Sequence, residues 1–172
     1  AGTDAVKDAP TLFDSTVKML VAMGTEEGDI ETDVISTGDI KTAFLQGYDF
    51  DKSLPKQYVG LRPYPGAEIE VWEYEGPIYG DDEAPVNLHN TFTDYMTGNM
   101  KYDLMKPEQV RKMMHMTVQE YGQVKNELSL FYDKKTGHIV GKWVDDLISR
   151  GQQETSEKFW RHIEQRFKLK SR

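Results

Sequence analysis

The sequence predicts an α+β domain, and three observations point there. Strand-like stretches of alternating apolar residues occur early and late in the chain. The late ones are joined by short turn-forming segments, as antiparallel hairpins are. Segments of helical periodicity lie between them, and the resulting strand–helix–strand order is consistent with α+β. The 172 residues, 38% of them hydrophobic, suit one domain covering 1–172.

Pro10 opens a helix expected to reach about Met23, with Phe13, Val17, Leu20 and Val21 on one face. GTEEGD breaks it, and TDVISTGDI reads as a short strand ending near Asp39. LQGYDFDKSLPKQYVGLRPYPGA carries Pro55, Pro63, Pro65 and several Gly, and reads as turns. EIEVWEY sets Ile69, Val71 and Trp72 or Tyr74 against Glu68, Glu70, Glu73 and Glu75, the pattern of a half-exposed strand. APVNLHNTFTDYMTGN predicts a helix from Pro85 to Gly98, and KPEQVRKMMHMTVQEYG another from Pro107 to Gly122. NELSLFY and HIVGKWV predict two strands joined through DKKTG, with Gly137 at the tight position. LIS would be a third strand, which sets Asp145 and Asp146 at a second hairpin bend. The last helix is expected from about Glu154 to Lys168, with Phe159, Trp160, Ile163 and Phe167 inward. There is no internal repeat or low-complexity tract.

Composition narrows the function classes. No apolar run is long enough to span a membrane, and the polar start AGTDAVKDAP lacks the apolar segment of a signal peptide. The start also lacks Met, which leaves room for a piece excised from something longer. Zero Cys removes disulfide frames and thiolate metal sites, and fits a reducing compartment. The net charge of −8 is uneven. Residues 1–100 hold 6 Lys/Arg and 19 Asp/Glu, whereas residues 101–172 hold 15 and 10. The acidic first part argues against a simple electrostatic nucleic-acid clamp. The basic last part suits phosphate, or is a solvated face. His89, His115, His138 and His162 show no ligand spacing, so zinc is not expected. No Ser/His/Asp pattern stands out and no Walker-type loop is present. MMHM at 113–116 reads as helix packing, and GDDEA as a solvated turn.

Asp145 and Asp146 lie in GHIVGKWVDDLISRG, two carboxylates between apolar runs. A bare pair of aspartates is most often a turn, because Asp bonds its local backbone. Here Trp143 precedes the pair, Leu147 and Ile148 follow at once, and Asp39 ends another predicted strand. Carboxylates at neighbouring strand ends are rigidly held and can converge. Two-metal phosphoryl transfer requires such a group, since it holds two divalent ions ~4 Å apart around the attacking and leaving oxygens. Mg²⁺ takes oxygen ligands, commonly one or two carboxylates with substrate phosphates and water.

These residues resemble a family. DIKTAFLQG, Asp39 to Gly47, is similar to the DVKTAFLNG signature of copia-type retrotransposon reverse transcriptases, at seven of nine positions. PIYGDDEAP resembles the family's ALYGLKQAP, LFY its CLFY, WVDDLI its YVDDLL, and the closing FKLK the segment that follows. Order and approximate spacing match over Pro10 to Lys170. The resemblance implies a reverse-transcriptase palm, an antiparallel sheet packed on helices that back one face, with part of the fingers and no thumb. The activity implied is RNA-directed DNA polymerisation with two Mg²⁺, or Mn²⁺. Asp39, Asp145 and Asp146 would be catalytic and would hold metal together with the Ile40 carbonyl. The N–H groups of Thr42 and Ala43 would approach the incoming triphosphate. Phe44 would lie under the sugar and exclude a 2′-OH, although core packing is the commoner fate of Phe. Tyr79 and Gly80 would lie near nucleotide and template. The implied partners are an RNA or DNA template-primer, a dNTP, and the integrase and RNase H of the retrotransposon polyprotein. The implied location is a cytoplasmic virus-like particle, with later nuclear entry.

The chain departs from the pattern in places. The family's Leu-Lys-Gln is Asp81, Asp82 and Glu83, the Arg after Ala-Pro is Val86, the aromatic near it is Leu88, and the Tyr of Y-x-D-D is Trp143. The family's basic fingers segment, thumb and RNase H have no counterpart in the sequence, and 107–122 is not aligned with any segment of the family. Arg161, Arg166, Lys168 and Lys170 are read as either primer or template contacts or a wet helix face. Two competing readings stay open: a decayed or repurposed palm that folds without polymerising, and an unrelated α+β binding module. The second expects Asp39 and Asp145 to lie far apart.

Overall fold

The structure, a computed structural model, describes residues 12, 14–22, 33–106, 108–110 and 129–172. In chain order the elements are α1 (Asp14–Ala22), β1 (Asp33–Ile40), a 3-10 turn at Ala43–Gln46, β2 (Gln57–Leu61), β3 (Glu70–Tyr74), α2 (Ala84–Asp94), which runs on into a π turn at Tyr95–Asn99, β4 (Asp103–Leu104), β5 (Leu130–Tyr132), β6 (Ile139–Trp143), β7 (Asp146–Gln152), α3 (Gln153–Arg166) and β8 (Leu169–Ser171). Six strands form one antiparallel sheet in the order β4-β5-β6-β7-β1-β8, and β2 and β3 form a separate antiparallel ribbon. The fold is α+β, with helices packed on an antiparallel sheet.

Successive strand residues point to opposite faces of a sheet, so one period-2 pattern sets both faces here. Ile40, Val140 and Leu147 point to the side covered by α2 and α3, where they meet Leu88, Phe92, Met96, Phe159, Trp160, Ile163 and Phe167. Ile139 and Leu130 point the other way and meet Leu12, Leu20, Met105 and Val110. Both faces are therefore covered in part, whereas helices on one face alone were expected. α1 lies on the second face because Leu12 donates its N–H to the Lys142 carbonyl and Arg150 Nη1 donates to the Leu20 carbonyl.

α3 shows which force holds these helices. Its cap residue Gln152 makes no side-chain cap bond. A missing cap forfeits ~1 kcal/mol. Burying each large apolar side chain gains ~1.5–3 kcal/mol, and Phe159, Trp160, Ile163 and Phe167 are all buried. Packing decides. A hydroxyl group adds direction to it: Trp160 Nε1 donates to Ser36 Oγ at 2.7 Å, and Ser36 Oγ lies 2.8 Å from Ser149 Oγ and 2.9 Å from Ser156 Oγ. α3 is thereby fixed under β1 and β7.

The elements differ from expectation in several places. β2 forms within the stretch read as turns, because Tyr58 and Val59 pair with Glu73 and Trp72 of β3. That ribbon buries neither face: Val71 is 69% exposed and Trp72 56%. The last helix stops at Arg166, Phe167 turns extended, and β8 follows. β7 continues past the predicted LIS to Gln152, since Arg150 and Gly151 keep pairing with Ile35 and Val34. The predicted helix 107–122 lies outside the described residues except for Glu108–Val110, which are helical. Residues 10, 11, 13 and 23 of the first predicted helix, and 126–128 of NELSLFY, lie outside them as well. Gly137 sits at φ 73° in the β5–β6 turn, as expected.

Gly38 is where β1 touches α3 most closely. A Cβ there would lie 2.6 and 2.7 Å from two ring carbons of Trp160, and the Ser36 bond holds that ring. We expect Gly38→Ala to destabilise the chain by ~1–3 kcal/mol through overpacking, read as a lower midpoint in urea at unchanged slope. An unchanged midpoint would mean that the ring can move aside.

Candidate functional site

The β1–β7 register sets the site. Asp39 and Asp146 are direct Cα partners across the two strands. Asp146 also pairs with Trp143, so the bend between β6 and β7 is Val144 and Asp145, and Asp146 is the first residue of β7. The Ile40 N–H donates to the Asp145 carbonyl at 2.9 Å, which draws the bend against the end of β1. Asp39, far from Asp145 and Asp146 in sequence, therefore shares one end of the sheet with them. Ile40 itself is buried in the helix-side core.

The bend is strained. Val144 has φ 53°, a left-handed conformation that a β-branched residue rarely takes. Such strain costs ~1–3 kcal/mol and concentrates at functional sites. Sequence reading saw a tight bend here but had no signal for which residue carries the strain.

The electrostatics are those of crowded carboxylates. Burial, then the charges of Asp145 and Asp39, hold the Asp146 carboxyl above its ordinary value, and Lys170 opposes them. Lys170 Nζ lies 3.1 Å from Asp39 Oδ2. That bond and the Asp39 charge, with Asp145 and Asp146 behind them, raise the Lys170 ammonium. Asp39, Asp146, Thr37, Trp143, Ile148 and Leu12 line a cleft of about 310 Å³ on the face opposite α2 and α3. The donor set, three carboxylates with a backbone carbonyl nearby, has the hard-oxygen character of a Mg²⁺ or Mn²⁺ site. Among the described residues no three carboxylate or imidazole side chains are gathered closely enough to hold a metal ion as they stand.

The other predicted residues follow directly from β1. Thr42 is left-handed at φ 46° and opens the 3-10 turn, and Ala43 is buried. Phe44 packs its ring on that of Tyr79, centroids 5.1 Å apart, so the two predicted nucleotide-side aromatics meet. Tyr79 is exposed, and Gly80 has φ 94°, open to a residue without Cβ. Asp81 Oδ1 accepts the Glu83 N–H in a turn leading into α2. Of the basic residues, Arg166 donates to the Gln46 carbonyl at 2.9 Å, Arg161 to the Glu157 carbonyl, and Lys170 to Asp39. His89, His138 and His162 lie apart. His138 Nδ1 bonds the Tyr102 hydroxyl at 2.8 Å in the core, and burial lowers its pKa to about 4. His115 lies outside the described residues.

Lys142 was not foreseen. It is 1% exposed on β6, facing α2, and its Nζ has no hydrogen-bond partner among the described residues. The ammonium lies 6.0 Å from the Phe92 ring centroid. Burial pushes its pKa down to about 8, with Asp145 opposing, and burial together with Lys142 depresses His89 to about 4. The available signal was a lysine at an inward position of the apolar run HIVGKWV.

Comparison with protein-family models, with curated proteins and with solved structures gave no match to this chain. No helix among the described residues is long and apolar enough to cross a membrane.

Lys142 yields a pH-dependent prediction. A folded pKa near 8 against an ordinary 10.5 means the unfolded chain binds the proton more tightly. Wild-type stability then rises with pH between those values, and the full cost of the buried charge is present below them. We expect Lys142→Met to be more stable than wild type at pH 7 by ~1–3 kcal/mol, with the advantage shrinking above pH 8. Denaturant titrations at pH 7 and pH 10 measure it. A less stable variant at pH 7 would mean that Lys142 has an acceptor.

Proposed function

We propose that this chain is the palm, with part of the fingers, of a copia-type retrotransposon reverse transcriptase. Its reaction is two-metal nucleotidyl transfer from a dNTP to a primer 3′-OH on an RNA or DNA template. The observation that carries the reading is the placement of Asp39 opposite Asp146, with Asp145 on the adjoining bend and the Phe44–Tyr79 ring pair just beyond. An unrelated α+β module gives no reason for the residues of DIKTAFLQG and WVDDLI to meet at one sheet end.

Asp39, Asp145, Asp146 and the Ile40 carbonyl are the groups that would hold Mg²⁺ or Mn²⁺. When bound, such ions acidify a hydroxyl and stabilise attacking and leaving oxygens. The chain's own part is positional. The strained bend and the β1 end fix the carboxylates before substrate arrives, and a fixed site loses less entropy on binding. The Thr42 and Ala43 N–H groups offer backbone donors to phosphate. The Phe44 ring, which packs on Tyr79, would lie under the sugar and exclude a ribose 2′-OH. The family life cycle carries the remaining proposals: integrase and RNase H as polyprotein neighbours, in a cytoplasmic virus-like particle with nuclear entry.

A second reading has its own support. The loop near Tyr79 carries Asp81, Asp82 and Glu83 where the family is basic. A repurposed palm that folds without polymerising would have this feature.

Titration of the whole chain with Mn²⁺, followed by electron paramagnetic resonance, tests the metal site. We expect one or two bound ions, with affinity lowered about tenfold or more by Asp39→Asn and by Asp145→Asn, as loss of a metal-held charge requires. Binding that neither change affects would remove the shared site and with it the polymerase reading. Intact binding without primer extension, in a chain joined to the fingers and thumb of a polymerase of that family, would favour the repurposed palm.

A further inference from the structure

Lys170 is brought to the carboxylates by an irregularity in the sheet, and the proposed chemistry does not use it. β1 and β8 pair antiparallel, but the register shifts: Asp39 faces Ser171 and Ile40 faces Leu169. Two residues of β1 thus oppose three of β8, and Lys170 is the extra one. Such a bulge re-aims a side chain, and bulges are common beside active sites. Leu169 keeps its contact with the helix-side core, while Lys170 reaches across to Asp39 Oδ2 at 3.1 Å.

The ammonium acts on the whole group. Its charge counters the repulsion that Asp145 and Asp39 impose on Asp146. Its bond engages an Asp39 oxygen that a metal ion would need. We infer that Lys170 is the built-in counter-ion of the three carboxylates: its ammonium balances them in the metal-free chain, and a divalent ion binds by displacing it from Asp39. The inference rests on reading the Asp39–Asp146 end as a divalent-ion site.

Displacement is feasible because the lysine is not trapped. Its side chain is 71% exposed. Exposed ion pairs contribute little net free energy, so a doubly charged ion with several carboxylate contacts outcompetes a single ammonium. The contact therefore excludes weakly held cations and gives way to divalent ones.

The test is Mn²⁺ binding to the whole chain as wild type, Lys170→Met, Lys170→Arg and Asp39→Asn. Methionine keeps the length without charge, and arginine keeps the charge. We expect Lys170→Met to tighten Mn²⁺ about two- to tenfold at low salt, as removal of one partly screened charge predicts, and Lys170→Arg to stay within about twofold of wild type. Mg²⁺ should also shift the Lys170 Cε–Hε NMR signal toward that of an unpaired lysine. If Asp39→Asn abolishes binding while Lys170→Met leaves it unchanged or weaker, the counter-ion inference is overturned and the metal site stands. If Asp39→Asn has no effect on Mn²⁺, or no variant binds it, both fail.

Discussion

The register of β1 against β7 is the constraint on which the rest depends. It sets Asp39 opposite Asp146, an arrangement the two side chains do not favour. Like charges directly across a strand pair cost ~0.2–1 kcal/mol. The same register sends Ile40 and Leu147 into the core beneath α2 and α3. Each of those burials gains ~1.5–3 kcal/mol, and a one-residue slip of either strand would turn its own apolar residue out of that core. Burial on one face thus imposes repulsion on the other. The site is electrostatically frustrated because the core beneath it is not.

The parts around the carboxylates are linked to one another. Gln46, in the 3-10 turn after β1, accepts the Lys168 N–H through Oε1 and donates through Nε2 to the carbonyls of Lys41 and Lys168. Arg166 reaches the Gln46 carbonyl and also lies over the Phe167 ring. The end of α3, the start of β8 and the turn carrying Phe44 therefore form one connected unit. Ser36, Ser149, Ser156 and Trp160 tie the other end of that unit under the sheet. Asp39, Phe44 and Lys170 thus share one support.

Much of this was legible in the sequence, for identifiable reasons. The β5–β6 and β6–β7 hairpins announced themselves by alternation and by turn residues at the right places, and α3 by four large apolar residues at helical spacing. Asp39 and Asp145 could be nominated because each ended an apolar strand. Local pattern could not supply pairing. β8 is three residues long, and its pairing with β1, on which the Lys170 bulge depends, involves partners more than a hundred positions apart. β2 was hidden because its flanks hold the prolines and glycines that announce turns. The two lysines that shape the site's electrostatics were visible as letters, but only the fold shows that one is buried without an acceptor among the described residues and the other lies on Asp39.

The β2–β3 ribbon and the β6–β7 bend are both antiparallel connections, yet they differ in how they can vary in length. The ribbon exposes both faces, and its tip between Leu61 and Glu70 packs on no core. Residues added or removed there change reach and nothing beneath, so that tip can diverge by insertion and deletion. At Val144–Asp145 an added residue must be absorbed within the loop, or it disturbs the pairing that sets Asp39 opposite Asp146. Length change is therefore more costly at the bend than at the ribbon tip.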